Sequence, residues 1–140
     1  VFLADMARGE CFAVTHGGEV AAVFVLSTLE QENYAKITDG KWTADMAYCV
    51  LHRSAVSAKY RGSGMAEFMM KCVERQAAEG FGLRCIRVDT HRKNKAMQRL
   101  LRESGYRYRG NVLIDDAGHD PARQAYEKIL KIKNIAGGCK

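Results

Sequence analysis

Arg61-Gly62-Ser63-Gly64-Met65-Ala66 is the stretch that decides the reading of this chain, because an apolar run ends just before it at Val56 and a helical run opens within it. Residues 46–56 read as a strand. From Met65 the apolar positions change period, with Met65, Phe68, Met69, Cys72, Val73 and Ala77 recurring at helical spacing until Gly80 and Gly82. The spacing predicts an amphipathic helix of about four turns. Backbone N–H groups at such a helix start lack internal partners and carry the positive end of the macrodipole, so they bind phosphate where small residues let it approach. Gly62 and Gly64 remove side-chain obstruction, Ala66 keeps the first turn narrow, and Arg61 supplies a forked cation. A Walker loop is excluded by the missing Gly-Lys-Ser/Thr ending, and a dinucleotide fingerprint fails because Glu67 stands where its third glycine belongs. A pyrophosphate cradle or an ordinary strand-to-helix turn remains.

Upstream, residues 11–15 and 20–27 read as two antiparallel strands joined at His16-Gly17-Gly18-Glu19, whose glycines permit a tight hairpin turn. Residues 2–7 read as the end of a helix closed by Gly9. Residues 28–45 are polar and aperiodic, with a turn signal at residues 38–41, and form an excursion before the strand at 46–56. Downstream, residues 83–90 alternate as a strand, and Asn94 then caps a second helix with Ala96, Met97, Leu100 and Leu101 inward, ended by Gly105. A strand, helix, strand, helix series makes the strands at 46–56 and 83–90 parallel neighbours. Two final strands at 106–114 and 124–130 flank a turn cluster at 115–121. One domain over residues 1–133 and a flexible tail over 134–140 are expected.

The loop and the segment beyond it resemble the GNAT superfamily of acyl-CoA N-acyltransferases, whose signature Arg/Gln-x-x-Gly-x-Gly/Ala joins its fourth strand to its third helix. Arg61 to Ala66 match it position by position. The resemblance continues through residues 89–101 and Glu103-Ser104-Gly105-Tyr106, similar to the family's second coenzyme segment, an Asn-initiated helix closing in Gly-aromatic. It looks closest to a bacterial subgroup. The resemblance implies an α/β fold with a mixed central sheet, splayed parallel strands and flanking helices. It also implies that main-chain groups of Ala55, Val56 and Ser57 bond the pantetheine arm like an added strand, and that Arg61, Gly62, Ser63, Gly64, Met65 and Ala66 hold the pyrophosphate. Asn94 would anchor the arm across the cleft, and Arg92, Lys93 or Lys95 would meet the 3′-phosphate. Asn94 as a plain helix cap is the alternative, and both roles are compatible.

Acyl transfer to an amine needs a neutral amine, donors for the carbonyl oxygen and a proton for the thiolate. The resemblance gives the donor role to the Val56 N–H. His52 is the candidate base, since a histidine accepts a proton near neutrality, or it is a partly buried histidine satisfied by the backbone. His91 is a second candidate. The family often places a tyrosine acid where this chain has Leu101, which leaves Tyr106, Tyr108 or water to protonate the thiolate. The chain also opens where the family's second helix would end, so part of the acceptor wall is expected to be absent.

Composition sets the outer limits. A formal charge of +6 conceals a division along the chain, since residues 1–83 net −2, residues 84–109 net +7 and residues 110–140 net +1. That concentration implies an anionic partner or a solvated helix face. The basic segment lacks the interleaved aromatics that stack bases, so nucleic acid is not expected. No run approaches the roughly 18 apolar residues of a membrane span, and residues 1–7 lack a basic leader and cleavage site, so a cytoplasmic protein is expected. Five cysteines without a Cys-x-x-Cys pair suggest neither a disulfide framework nor a metal site. Acetyl-CoA as co-substrate and a primary amine as acceptor are the implied partners, with Trp42, Asp39 and Asp45 hinting at a cationic acceptor. Dimers are common in the family, so a homodimer is compatible with the resemblance. A non-catalytic CoA- or RNA-binding module on the same fold is the competing reading.

Overall fold

The structure is a computed structural model that describes residues 10–43, 45–114 and 120–131. The expected helix at 2–7, most of the 115–121 turn and the 134–140 tail lie outside the described residues. Six strands form one sheet: β1 (Cys11–His16), β2 (Glu19–Ser27), β3 (Tyr48–Val56), β4 (Cys85–Thr90), β5 (Arg107–Leu113) and β6 (Ala122–Ile129), in the order β1-β2-β3-β4-β6-β5. Only β3 and β4 pair in parallel. The β1–β2 hairpin turns at Gly17 and Gly18 with φ of +58° and +82°, the double left-handed pair that matches strand twist. Helices α1 (Met65–Arg75) and α2 (Lys95–Glu103) follow β3 and β4, as the period change predicts.

Side chains alternate across β3 and so divide the interior in two. Cys49 and Leu51 join Met69, Met70, Val73 and Leu101 on the helix-covered face. Val50 joins Tyr34, Val112 and Ala125 on the other, which the 28–45 excursion covers through a short 3₁₀ turn at Glu32–Lys36. Thr38 and Asn111 exchange both main-chain hydrogen bonds at 2.8 Å, fastening that excursion to β5. This pins one wall of the molecule.

Two inward assignments need correction. Phe68 is 51% exposed while Met70 is buried, because the helix stripe centres on Met69, Met70, Val73 and Ala77 and leaves Phe68 at its edge. Ala96 is exposed, and Gln98 is buried instead. Gln98 Nε2 donates to the carbonyls of His91 and Arg92 at 3.2 and 2.7 Å, so a buried amide ties the β4–α2 connection to the helix. Among the described residues no helix is long and apolar enough to cross a membrane.

Candidate active site

The site begins with a strand irregularity. Across β2 and β3, Val25 faces Arg53 and Leu26 faces Leu51, so His52 is the extra residue of a β-bulge. A bulge bends its strand and sharpens the local twist. On the other side of β3 the parallel pairing with β4 runs from Tyr48 opposite Cys85 to Leu51 opposite Val88 and stops there. Residues 52–56 are therefore paired toward β2 alone, and a cleft opens between the carboxyl ends of β3 and β4.

Alternation decides which main-chain groups face that cleft. Ser57 N–H donates to Ala21 O at 2.8 Å, which makes Ala22 and Val56 the neighbouring non-hydrogen-bonded pair and turns Ala55 back to Val23. The main-chain groups of Ser54 and Val56 consequently face the open side. Of the expected trio, Val56 is turned to the cleft, whereas Ala55 and Ser57 are committed to β2. Ser54 was missed because it carries no motif, although strand alternation from Val56 points to it.

The loop after β3 is held rigidly at the mouth of the same cleft. Lys59 Nζ bonds both carboxylate oxygens of Glu19 at 2.9 and 2.7 Å, and Tyr60 Oη donates to Glu19 at 3.0 Å. The Lys59 hydrogen bond, then that of Tyr60, holds the Glu19 carboxyl below its usual range. This clasp anchors the loop to the β1–β2 turn. Gly62 and Gly64 have φ of +76° and +87°, left-handed values that a side chain disfavours, and no heavy atom lies within 4 Å of where either Cβ would stand. The space is a cavity of about 260 Å³ lined by Val56, Tyr60, Arg61, Gly62, Gly64, Met65, Ala66 and Glu67.

The loop's donors are divided unequally. Arg61 N–H is bonded to Ala58 O, and both the N–H and the hydroxyl of Ser63 turn back to Tyr60 O. By contrast, the N–H groups of Gly62, Gly64, Met65 and Ala66 have no acceptor among the described residues. An anion in this cavity would meet those four donors at a helix start, with the exposed Arg61 side chain beside them. A pyrophosphate fits this arrangement.

The opposite side of the cleft is the connection from β4 to α2. Asn94 is its helix cap, accepting from Met97 N–H at 3.1 Å through Oδ1, while its amide nitrogen has no partner among the described residues. Lys93 is exposed, and its N–H donates to His91 Nδ1 at 3.0 Å. His91 Nε2 lies 2.8 Å from Asp120, whose carboxyl the His91 hydrogen bond holds below its usual range. With Nδ1 already accepting, the neutral ring must carry its proton on Nε2, so His91 has no free lone pair with which to serve as base.

The charge concentration of residues 84–109 disperses in three dimensions. Arg87 and Arg109 both reach the fully buried Glu127 carboxylate, at 3.0 and 3.2 Å, on the face away from α1. Arg84 bonds Leu130 O, and Arg99 pairs with Glu103 along its own helix. Only Arg92, Lys93 and Lys95 stand at the β4–α2 connection, and Arg92 is 3.5 Å from Asp120.

The acid candidates fare differently. Tyr106 is 3% exposed, its hydroxyl has no hydrogen-bond partner among the described residues, and burial followed by Glu74, Cys49 and Cys85 pushes it well above the usual tyrosine range. Cys49 and Cys85 lie in the opening residues of β3 and β4, so Tyr106 lies at the closed end of the strand pair and not at the splay. Its assignment to the proton-donor role is therefore corrected: sequence order places it near the second coenzyme segment, but packing carries its ring into the core. Leu101 is fully buried. Tyr108 is 47% exposed and donates to Asn111 Oδ1 at 2.8 Å.

His52 is exposed, and its Nε2 lies 3.4 Å from Gln31 Nε2. Gln31 in turn lines a second cavity of about 510 Å³ with Glu30, Glu32, Tyr34, Trp42, Asp45, Tyr48 and Arg87. Trp42 is tied here by donating from Nε1 to Tyr34 O at 2.8 Å, and the Arg87 guanidinium stacks 4.5 and 4.1 Å from the Trp42 and Tyr48 ring centroids. Asp39 is elsewhere, accepting from Asn111 Nδ2. Among the described residues no three His, Cys, Asp or Glu side chains converge as metal ligands.

Comparison with known proteins supplies the family. The sequence model of the Acetyltransferase (GNAT) family matches residues 2–106. A GNAT-family acetyltransferase from Streptococcus agalactiae is 32% identical and superposes with a TM-score of 0.81, covering 93% of this chain and 70% of its own. A Bacillus subtilis acetyltransferase solved with CoA is 14% identical with a TM-score of 0.65, covering 93% and 84%. A spermidine N-acetyltransferase chimera from Vibrio cholerae shares the fold at 10% identity and a TM-score of 0.66, covering 91% and 73%. No curated protein is a significant match. The cleft, the glycine loop at its mouth and the family match meet in one conclusion: the chain belongs to the GNAT acetyltransferase family and is an N-acetyltransferase of the kind that uses acetyl-CoA.

Proposed function

We propose that this chain transfers an acetyl group from acetyl-CoA directly to a primary amine of a small molecule or peptide, both substrates being bound together. The observation that carries this reading is the coincidence of the β3–β4 splay, the four free N–H groups of the 61–66 loop and His52 at the vertex. Gly62, Gly64, Met65 and Ala66 hold the pyrophosphate, with the exposed Arg61 as the cation beside it. Lys93 and its neighbours meet the 3′-phosphate, and the amide nitrogen of Asn94 steadies the pantetheine arm. Val56 and Ser54 bond that arm as a strand partner, and the deeper of their N–H groups stabilises charge growing on the thioester oxygen. When bound, the coenzyme supplies the activated acyl group.

His52 takes the proton from the attacking amine, directly or through one water, at Nε2, where the incoming amine or water replaces the 3.4 Å contact made by the Gln31 amide nitrogen. The amine nitrogen forms the new C–N bond as the C–S bond breaks. The departing thiolate then takes its proton from water, since Leu101 has no proton to give and Tyr106 is buried. That burial is also what favours the second reading, a CoA-binding module without turnover.

Thermal shift with acetyl-CoA followed by thiol release over an amine panel tests both. Acetyl-CoA should raise Tm and at least one amine should release CoA thiol. Stabilisation without release from any amine would leave the binding module; no stabilisation at all would remove both readings.

A further inference from the structure

Most described carboxylates are already engaged. Glu19, Glu74, Glu79, Glu103, Asp120 and Glu127 sit in ion pairs, and Asp39 and Asp89 accept from Asn111 and Tyr34. Glu10 accepts from Ser27. Glu30, Glu32, Asp45 and Glu67 have neither a hydrogen bond nor an ion pair among the described residues; Glu67 lines the glycine-loop cavity, and the other three line the one 510 Å³ cavity. In a chain with a formal charge of +6 such a convergence makes a local negative field, focused by low-dielectric aromatic walls.

The cavity's own cation does not cancel that field. Arg87 has its guanidinium covered by Trp42 and Tyr48 and its Nε bonded to the buried Glu127, so its charge is balanced beneath the floor. Arg87 is also only 6% exposed, so little of its N–H edge is open to a carboxylate ligand. The rim therefore favours cations. Gln31 connects this cavity to the vertex of the cleft, since its side chain lies 3.4 Å from His52 and its N–H donates to Tyr48 Oη at 3.2 Å. An acceptor whose reacting amine stands at His52 would extend its far end between Glu30, Glu32 and Asp45.

Resting on the acyl-transfer reading above, we propose that the acceptor is an amine carrying a second amino group that is protonated at neutral pH, as in an aliphatic diamine, and that Glu30, Glu32 and Asp45 select it through that distal charge. The amine that reacts loses its proton at His52, while the distal ammonium stays charged in the carboxylate rim. The transfer itself is unchanged.

Three four-carbon amines differing only at the far end isolate the effect: 1,4-diaminobutane, 4-aminobutan-1-ol and 4-aminobutanoate. With saturating acetyl-CoA, KM should be about tenfold lower for the diamine than for the amino alcohol, and highest for the aminobutanoate. In Glu30→Gln/Glu32→Gln/Asp45→Asn the three values should converge to within about twofold, with kcat for the amino alcohol retained. Calorimetry of 1,4-diaminobutane against the protein with CoA gives a second readout, and binding should be lost in the triple variant and weakened by salt. Equal KM values in the unaltered protein, a preference for the aminobutanoate, or diamine binding that survives the triple substitution would each overturn the proposal. Failure of the coenzyme to raise Tm is the separate sign that the acyl-transfer reading has failed.

Discussion

Leu51 stands opposite Val88 as the last parallel pair between β3 and β4, and the residue that follows it, His52, is the bulge that turns β3 away. The cleft thus starts at a definable point in the chain. Everything assigned to the coenzyme lies on the open side of that pair, and the buried Tyr106 lies on the closed side.

Gly64→Glu should abolish stabilisation by acetyl-CoA. Gly64 has φ of +87° at the head of α1, so the substitution imposes about 1 kcal/mol of backbone strain and places a negative charge where phosphate must bind. Differential scanning fluorimetry should show a modestly lower Tm without ligand and no shift with acetyl-CoA. A retained shift would remove the loop from the coenzyme site.

His52→Ala should keep acetyl-CoA binding and lower kcat by about 100-fold at neutral pH, the usual scale of a positioned base. Because a free amine at high pH needs no base, the deficit should narrow as pH rises. Normal turnover at pH 7 would make His52 a structural residue of the bulge.

Tyr106→Phe should leave turnover unchanged and raise stability by about 1 kcal/mol, since it removes a buried hydroxyl without a partner. Chemical denaturation and steady-state kinetics on one sample check both halves. A large fall in kcat would return Tyr106 to the proton-donor role.

Arg87→Met should destabilise the fold by about 3–5 kcal/mol, because it leaves the buried Glu127 carboxylate short of a cation. Burial raises the Glu127 pKa, but the Thr43 N–H and Arg87 outweigh it and hold the carboxyl below its usual 4.5. A depressed folded-state pKa gives stability that is fully present above 4.5 and lost as pH falls through the lower folded value. Urea midpoints should therefore fall below pH 4.5 in the unaltered protein and fall less steeply in Glu127→Gln.

Cys49 and Cys85 should resist thiol reagents in the folded state. Burial pushes their thiols up to about 12 and about 11, so at pH 8 neither forms appreciable thiolate. Labelling followed by peptide mapping should find both protected until denaturant is added.

Much of the fold was legible because its signals are local. The double glycine at residues 17–18, the glycines at 62 and 64 and the change from period 2 to helical spacing at Met65 each constrain a few neighbouring dihedrals, and each led to the observed element. Phe68 and Ala96 were misplaced for a related reason: periodicity gives a helix a face, but its rotation against the sheet is set by partners such as Leu26 and Ile86.

By itself, then, the sequence determined the order of elements, the hairpin turn, the glycine loop at a helix start and the Asn94 cap, since these depend on backbone torsions and nearby donors. Only the tertiary structure decided which groups meet. It placed His52 on a bulge, turned Ser54 and Val56 outward while Ala55 and Ser57 pair with β2, and drew Arg87 and Arg109 from the basic segment to Glu127. It also sank Tyr106 into the core and gathered Glu30, Glu32 and Asp45 around one cavity. These outcomes follow from strand register and packing between residues far apart in the chain, and that long-range pairing leaves no local pattern to read.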